Sequence, residues 1–186
     1  TGIEIDMNTG TGWPFGGPEV SIEDAASKAI FQTYDIEGGQ EIVQDINVTD
    51  KKQQPYSVLS RVMAYDENGR CINLTSHVRK DKLEWKAPAG KWKVIALYNS
   101  KTRQKVKRAA PGGEGYVMNH LSKTAVKNYL SRFDRAFKSS KTSYPHTFFN
   151  DSYEVYQADW TEDFLDQFAR RRGYKLEEHF PEFLDE

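Results

Sequence analysis

The sequence contains a single cysteine, Cys71, among its 186 residues. One thiol excludes an internal disulfide framework and a cysteine-based metal site, and we expect Cys71 to be a small buried side chain in a strand. The four histidines are scattered, without the paired spacing that a zinc site uses. The sequence therefore predicts neither a disulfide-stabilised fold nor a zinc centre.

Long apolar runs and an excess of one charge are also missing. No stretch reaches the roughly 20 apolar residues that span a bilayer, so we expect a soluble protein. The 26 basic and 27 acidic side chains give a net charge of −1. Five basic residues fall within residues 101–108, and we interpret this run as the solvated edge of a strand. No basic face is predicted, which argues against nucleic acid or an anionic membrane as a partner.

The chain opens without methionine, directly in what reads as a strand at residues 2–6. An orphan first strand has lost the hydrogen bonds of its neighbours, so we interpret the sequence as a piece of a longer protein. The absence of a signal peptide in this piece then says nothing about where the parent protein goes. With 38% hydrophobic and 28% charged residues, we expect one folded domain or one domain plus a small insert.

A first βα module is predicted over residues 1–39. Ile3 and Ile5 alternate with acidic residues in the period-two pattern of a strand, and a loop rich in glycine and proline follows at residues 8–18. Ser21 and Asp24 resemble a capping box, which predicts a helix. Its apolar positions have helical spacing: Ile22, Ala25, Ala26, Ala29 and Ile30.

Residues 40–107 have the sequence pattern of an inserted antiparallel β domain. A strand is predicted at residues 58–65, a hairpin turn at residues 66–69 and a second turn at residues 87–90. Trp92, Val94, Ala96 and Tyr98 then alternate with other residues, and no helical pattern interrupts the region.

Residues 108–186 return to the βα pattern. Residues 116–118 and 147–149 are short apolar strands, and Ser122 begins a helix. A further helix starts near Thr161 and ends at Gly173. Three βα modules are fewer than a (β/α)8 barrel of roughly 250 residues needs, but they can be part of one. The predicted fold class is therefore α/β: a partial TIM-barrel segment with an inserted antiparallel β domain.

Polar residues follow each predicted strand of these modules, where barrel enzymes place their active sites. They are Asp6 and Asn8, then Asn119 and His120, then Asn150 and Asp151 with Glu154 just beyond. Glycoside hydrolysis needs one carboxylic acid to protonate the leaving oxygen and one carboxylate to activate water. Glu154 is the candidate acid, because it lies near Asp151 among aromatic residues, and Glu114 in a glycine-rich loop is a second candidate. A loop glutamate paired with a lysine or arginine remains the alternative for Glu154.

Three segments, in order along the chain, resemble glycoside hydrolase family 106, the large bacterial α-L-rhamnosidases. They are IDMNTGTGWPFGGP at residues 5–18, VKRAAPGGEG at residues 106–115, and FNDSYEV at residues 149–155 with DWT at residues 159–161. WKAPAGKW at residues 85–92 also resembles the insert of that family. The resemblance implies large exported enzymes with a central (β/α)8 barrel that remove α-linked L-rhamnose, with inversion, from rhamnosides or plant polysaccharides such as pectic rhamnogalacturonan. It also implies an association with calcium.

Carried over by motif, Glu154 matches the general acid and Asp151 an acidic neighbour of the site. The catalytic base of the family matches nothing here and is expected beyond residue 186, in the rest of the parent polypeptide. The expected rim, sugar-contacting or structural, comprises Asp6, Asn8, Trp13, Glu114, Asn119, His120 and Asn150. Asp6, Glu114, Asn119 and Asp151 carry oxygen ligands of the kind that calcium prefers, but their spacing assigns none of them.

Two other interpretations stay open. The chain can be a non-catalytic carbohydrate-binding or structural β module, with Trp85, Trp92 and Tyr98 forming an exposed platform for a sugar. The alternation of these aromatics with Lys and Glu favours a core instead. The chain can also belong to a related hydrolase or lyase that uses the same barrel on another sugar.

Overall fold

A computed structural model describes residues 2–150 and 153–185, so Asp151 lies outside the described residues. The strands are β1 (Asp6–Asn8), β2 (Gly16–Gly17), β3 (Ser27–Glu37), β4 (Glu41–Asp45), β5 (Ser57–Asp66), β6 (Cys71–Asn73), β7 (Val78–Arg79), β8 (Lys82–Lys86), β9 (Lys91–Lys101), β10 (Tyr116–Val117) and β11 (Thr147–Phe149). The α-helices are α1 (Lys123–Ser140), α2 (Phe164–Arg172) and α3 (Phe180–Leu184). Short 3₁₀ helices cover Gln54–Tyr56, Thr75–His77 and Leu176–Glu178.

The chain forms two compact units. One comprises the residues up to Lys28 together with Lys101–Thr161, and the other comprises Ala29–Ser100 together with the residues from Glu162. The domain boundaries predicted after residues 39 and 107 stay predictions. No helix in the described ranges is long and apolar enough to cross a membrane.

The first unit contains a parallel strand pair, β1 and β11, and the helix α1 that precedes β11. Asp6 is paired with Thr147 and Asn8 with Phe149. The predicted helix is confirmed, because the Ser122 side chain caps α1 by accepting a hydrogen bond from the Ala125 N–H. The core of this unit contains Val20, Ala25, Met118, Ala125 and Tyr129.

β10 pairs with β2 in antiparallel orientation, not in parallel with β1. Gly16 and Gly17 of β2 come directly after a proline-containing loop and approach β10 closely. A Cβ atom at Gly16 would lie 2.2 Å from the Tyr116 carbonyl oxygen, so only glycine fits this pairing. The strand predicted at residues 116–118 is present, but its pairing with β2 is antiparallel and not the parallel pairing of a barrel strand.

The helix predicted from Ser21 is also wrong, because the chain from Ser27 to Glu37 forms strand β3. Ser21 does accept a weak hydrogen bond from the Asp24 N–H, at 3.4 Å, but only a turn follows it. Residues 30–36 are rich in β-branched and aromatic side chains, which favour a strand. β9, which lies beside β3 in the sheet, supplies the hydrogen-bond partners that fix this choice.

The second unit confirms the predicted antiparallel β region. One sheet has the strand order β3-β9-β5-β6, and another has the order β4-β8-β7. The predicted hairpin turn joins β5 to β6: the Asp66 carboxylate accepts from the N–H groups of Asn68 and Arg70, and Gly69 has a φ of 80°. Such contacts set the register of the hairpin.

A shared hydrophobic core lies between these two sheets. Trp85 of β8 and Trp92 of β9 meet edge to face, with ring centroids 5.2 Å apart. Trp85, Trp92 and Tyr98 are 7%, 4% and 5% exposed, so they do not form an exposed sugar platform. Aromatic side chains buried in this way stabilise the unit through the apolar area that they remove from water.

The C-terminal helices belong to the second unit. α2 ends at Gly173, which has a φ of 81°, as predicted. Phe180 of α3 is fully buried and meets the ring of Phe31 edge-on, at 5.3 Å between centroids. The Tyr65 hydroxyl on β5 donates to the Glu177 carbonyl at 2.6 Å. These contacts fix the segment that follows α2 to strands β3 and β5.

Candidate active site

Glu154 lies in an irregular segment of the first unit, and its side chain is exposed. The Tyr156 hydroxyl donates a hydrogen bond of 2.7 Å to Glu154 Oε2. The aromatic residues that are close to Glu154 in the sequence are themselves exposed: Phe149 is 53% exposed and Tyr153 is 69% exposed. Within the described residues, these aromatic neighbours therefore do not bury Glu154.

Gln104 holds the backbone on both sides of Val155. Its Nε2 donates to the Glu154 carbonyl oxygen at 2.8 Å, and its Oε1 accepts from the Tyr156 N–H at 2.8 Å. One side-chain amide therefore fixes the residue that carries the candidate acid and the residue that carries its hydrogen-bond donor.

Lys107 and Trp13 complete this cluster. Trp13 and Lys107 exchange two backbone hydrogen bonds, of 3.0 and 2.8 Å. Lys107 Nζ lies 3.4 Å from the Tyr156 hydroxyl, 4.5 Å from the centre of the Tyr156 ring and 5.6 Å from that of the Trp13 ring. Trp13, predicted as a rim residue, is thus joined to Glu154 through Lys107 and Tyr156. Its indole Nε1 is buried and meets no hydrogen-bond partner in the described ranges.

His120 contacts the residue before Glu154. Its ring lies 4.8 Å from the Tyr153 ring and 6.5 Å from the Phe15 ring, between centroids. Burial lowers the pKa of His120 below its ordinary value of 6.5, and a backbone contact with Met118 acts in the opposite direction. Neither ring nitrogen satisfies hydrogen-bond geometry with a residue that the structure describes. A partly buried imidazole therefore lies beside the segment that carries the candidate acid.

Asn119, beside His120, has a structural position. It is 3% exposed, its Oδ1 accepts from the Leu121 N–H at 3.0 Å, and its Nδ2 donates to the Trp160 carbonyl at 3.4 Å. Its backbone N–H donates to the Asp24 carbonyl. These bonds fix the turn that precedes α1.

The other predicted rim residues near the β1–β11 pair lie at opposite ends of these two strands. Asn8 and Asn150 lie at the carboxyl ends of β1 and β11, where Asn8 accepts from the Gly10 N–H at 2.7 Å. Asn150 lines a cavity of about 310 Å³ together with Phe133 of α1. Asp6 instead opens β1 and lies 3.8 Å from His146, at the amino end of the pair.

Glu114 is exposed on the loop that precedes β10. The neighbouring Gly113 accepts a hydrogen bond of 2.7 Å from the Thr11 hydroxyl, which ties this loop to the one after β1. Nowhere in residues 2–150 and 153–185 do three His, Cys, Asp or Glu side chains gather in a group that could hold a metal ion. Asp6, Glu114 and Asn119, the described candidates for calcium ligands, occupy three separate places.

Sequence reasoning missed Gln104, Lys107 and Tyr156. The first two lie in the basic run at residues 101–108, which was interpreted as a solvated edge. Basic residues occupy positions 101, 103, 105 and 107 of that run, so Gln104 and Val106 share the opposite side of an extended segment. This alternation was the available signal that Gln104 faces inward.

Comparisons with known proteins agree with the family resemblance, and the range matched by the family model contains two of its three segments, at residues 106–115 and 149–161. The family model for alpha-L-rhamnosidase matches residues 48–185, which include Glu154. A protein of Formosa agariphila, provisionally named a beta-glucuronidase, is 27% identical over 97% of this chain and 19% of its own length. A solved rhamnosidase from Novosphingobium sp. PP1Y has the same fold, with a TM-score of 0.69 and 16% identity over 96% of this chain and 34% of that one. The chain spans about a fifth and about a third of these two proteins. With most of its length matched by the family model, the chain belongs to the alpha-L-rhamnosidase family, glycoside hydrolase family 106.

Proposed function

We propose that this chain is a segment of a longer glycoside hydrolase, an inverting α-L-rhamnosidase, and that Glu154 is its general acid. The observation that carries the proposal is the match of the family model across residues 48–185, because this range contains the FNDSYEV segment with Glu154. The length of the relatives supports a longer enzyme, since the chain covers only 34% of the solved rhamnosidase.

In an inverting hydrolase one carboxylic acid protonates the departing oxygen while a carboxylate on the opposite side activates water, with the two groups about 6.5–9.5 Å apart. Glu154 would deliver the proton, and the Tyr156 hydroxyl at its Oε2 would hold the carboxyl group in place. Asp151 would be the acidic neighbour of this site. The base would lie in the remainder of the longer enzyme, so we expect the isolated chain not to turn over rhamnosides.

The barrel that this mechanism is usually built on is part of the proposal. β1 and β11 are parallel neighbours, and α1 precedes β11, which is the arrangement of adjacent barrel strands with an insertion between them. Parallel sheets are normally covered on both faces, yet Phe148 and Phe149 of β11 are 51% and 53% exposed. Further strands and helices of the longer enzyme would cover these side chains.

The proposed substrate is a glycan or glycoside that contains α-linked L-rhamnose. The Formosa relative favours a second candidate, a β-linked glucuronide, because it aligns with 97% of this chain. Assays of the longer enzyme with nitrophenyl α-L-rhamnoside and nitrophenyl β-D-glucuronide, side by side, separate the two. Turnover of the rhamnoside alone is the expected result.

We further propose that the longer enzyme is exported and that it binds calcium, as the family resemblance implies. The described residues do not fit a calcium site. Asp6 lies beside His146, Glu114 is exposed on another loop, and both polar atoms of the Asn119 amide are engaged by backbone groups. None of the steps proposed for Glu154 therefore involves calcium.

The decisive experiment is Glu154→Gln in the longer enzyme. Loss of a general acid typically costs about 10²–10⁴-fold in rate, so kcat on a rhamnose disaccharide should fall within that range while sugar binding persists. A dinitrophenyl rhamnoside, whose leaving group needs little protonation, should lose far less. Glu41→Gln, on β4 in the other unit, is the control and should leave both rates unchanged.

Unchanged rates for Glu154→Gln would overturn the assignment and favour the non-catalytic interpretation. That interpretation needs a different sugar contact, because Trp85, Trp92 and Tyr98 belong to the core.

A further inference from the structure

We infer that Gln104 is a positioning residue for the general acid, acting through the backbone of residues 154–156. The inference rests on the proposed role of Glu154. It assigns to Gln104 a task distinct from substrate contact: to hold the segment that carries the acid in one conformation.

The geometry of the Gln104 amide carries this inference. A side-chain amide presents a donor and an acceptor much as a peptide group does. Here its donor meets the Glu154 carbonyl and its acceptor meets the Tyr156 N–H, both at 2.8 Å. Gln104 thus takes the place of a strand partner for a segment that has no strand of its own.

Gln104 is itself held on a fixed support. Its carbonyl accepts from the Val117 N–H at 3.0 Å, and Val106, two residues on, donates its N–H to the Gly115 carbonyl at 3.0 Å. Lys105 and Tyr116 form a β-bridge between these two bonds. The amide therefore projects from an extended segment that is hydrogen-bonded along β10.

Tyr156 links the held backbone to the reacting carboxyl group. Its N–H is fixed by Gln104, and its hydroxyl donates to Glu154 Oε2 at 2.7 Å. Lys107, three residues after Gln104 on the same support, places its ammonium 4.5 Å from the centre of the Tyr156 ring. Release of the Gln104 contacts would therefore free both the backbone of Glu154 and the ring that orients its side chain.

Without the Gln104 amide, the irregular segment around Glu154 would sample many conformations, and the acid would reach the leaving oxygen in only some of them. A misplacement of about 1 Å can reduce a rate about 10²-fold. The deficit should appear only where proton donation limits the rate. This dependence on the leaving group distinguishes a positioning role from a general loss of folding or of substrate binding.

The test uses the longer enzyme with Gln104→Met, which has similar length and neither hydrogen bond. We expect kcat on a rhamnose disaccharide to fall about 10–100-fold with KM nearly unchanged. The rate on a dinitrophenyl rhamnoside should change by less than about 3-fold. Gln44→Met is the matched control, because the Gln44 amide contacts only the adjacent Asp45 carbonyl among the contacts described, and it should alter neither rate.

Gln104→Glu keeps an acceptor for the Tyr156 N–H but not the donor to the Glu154 carbonyl. It provides a milder variant should Gln104→Met not fold, and it should show the same selective loss on the disaccharide. Equal losses on both substrates, or no loss on either, would overturn the inference. Because Glu154→Gln is measured in parallel, absence of the leaving-group pattern in that variant would instead reject the acid assignment itself.

Discussion

The hydroxyl of Tyr129, on the buried face of α1, donates to the backbone carbonyl of Thr9 at 2.7 Å. The Gly16 carbonyl lies at 3.2 Å from the same hydroxyl. Tyr129 is 5% exposed and Thr9 is 4% exposed, so water does not replace this bond readily. One side chain of α1 thereby fixes the loop that leaves β1, which carries Trp13 towards Lys107.

Tyr129→Phe should therefore destabilise the chain. It leaves a buried carbonyl without its partner, which costs about 1–3 kcal/mol of unfolding free energy. Tyr144→Phe also removes a hydroxyl group, but that hydroxyl is exposed and donates to Asp134. This change should lower the free energy of unfolding by less than about 0.5 kcal/mol. Urea unfolding of the two variants measures the difference. Equal stabilities would show that the Tyr129 bond contributes nothing net.

His120 makes the stability of the chain depend on pH. Burial lowers its pKa below 6.5 in the folded state, so below pH 6.5 the unfolded chain binds a proton that the folded chain resists. The free energy of unfolding should consequently fall as the pH drops from 6.5 towards the lowered folded pKa, and this loss should level off below it. Above pH 6.5 both states are neutral and the histidine contributes no slope.

His120→Gln removes this titration and should give a flatter stability profile over that interval. Urea unfolding at several pH values compares the two chains. A His120→Gln profile parallel to that of the unchanged chain would reject the burial effect. His77→Gln, at an exposed position in the second unit, serves as the control and should leave the slope unchanged.

How much of the fold the sequence predicts depends on whether local signals decide the structure. α1 was predictable because Ser122 caps it and its apolar residues recur at helical spacing, both of which are local. The β5–β6 turn was predictable because Asp66 and Gly69 determine it within four residues. β3 was missed because Ala25, Ala26 and Ile30 have helical spacing while residues 30–36 favour a strand, and only the pairing with β9 decides between these two local signals.

The candidate site can likewise be predicted from the sequence only where local signals identify its residues. Motif resemblance selects Glu154, but Gln104, which holds its backbone, is 50 residues away in the sequence. Alternation places Gln104 on the inner side of its segment, yet nothing local identifies the partner. The strand predicted at residues 2–6 instead comprises Asp6–Asn8, so Asp6 begins the strand that it was expected to end.

The C-terminal segment should depend more on Phe180 than on its neighbour Phe183. Both rings contact Phe31, at 5.3 and 6.0 Å between centroids, but Phe180 is fully buried whereas Phe183 is 46% exposed. Phe180→Ala should lower the free energy of unfolding by about 3–5 kcal/mol, and Phe183→Ala by about 1 kcal/mol. Urea unfolding tests the pair, and similar losses for both variants would contradict the burial argument.

Trp92 provides a test that separates a structural aromatic from a sugar-binding one. Its ring packs against Trp85 in the core and its Nε1 donates to the Pro88 carbonyl at 3.0 Å. Trp92→Ala should lower the free energy of unfolding by about 3–5 kcal/mol, because it leaves a cavity between the two sheets. Val43→Ala, at a position 63% exposed on β4, should change it by less than about 0.5 kcal/mol. A Trp92→Ala chain of unaltered stability that has lost affinity for a rhamnose-containing glycan would restore the platform interpretation, since a ring available to a sugar cannot also fill the core.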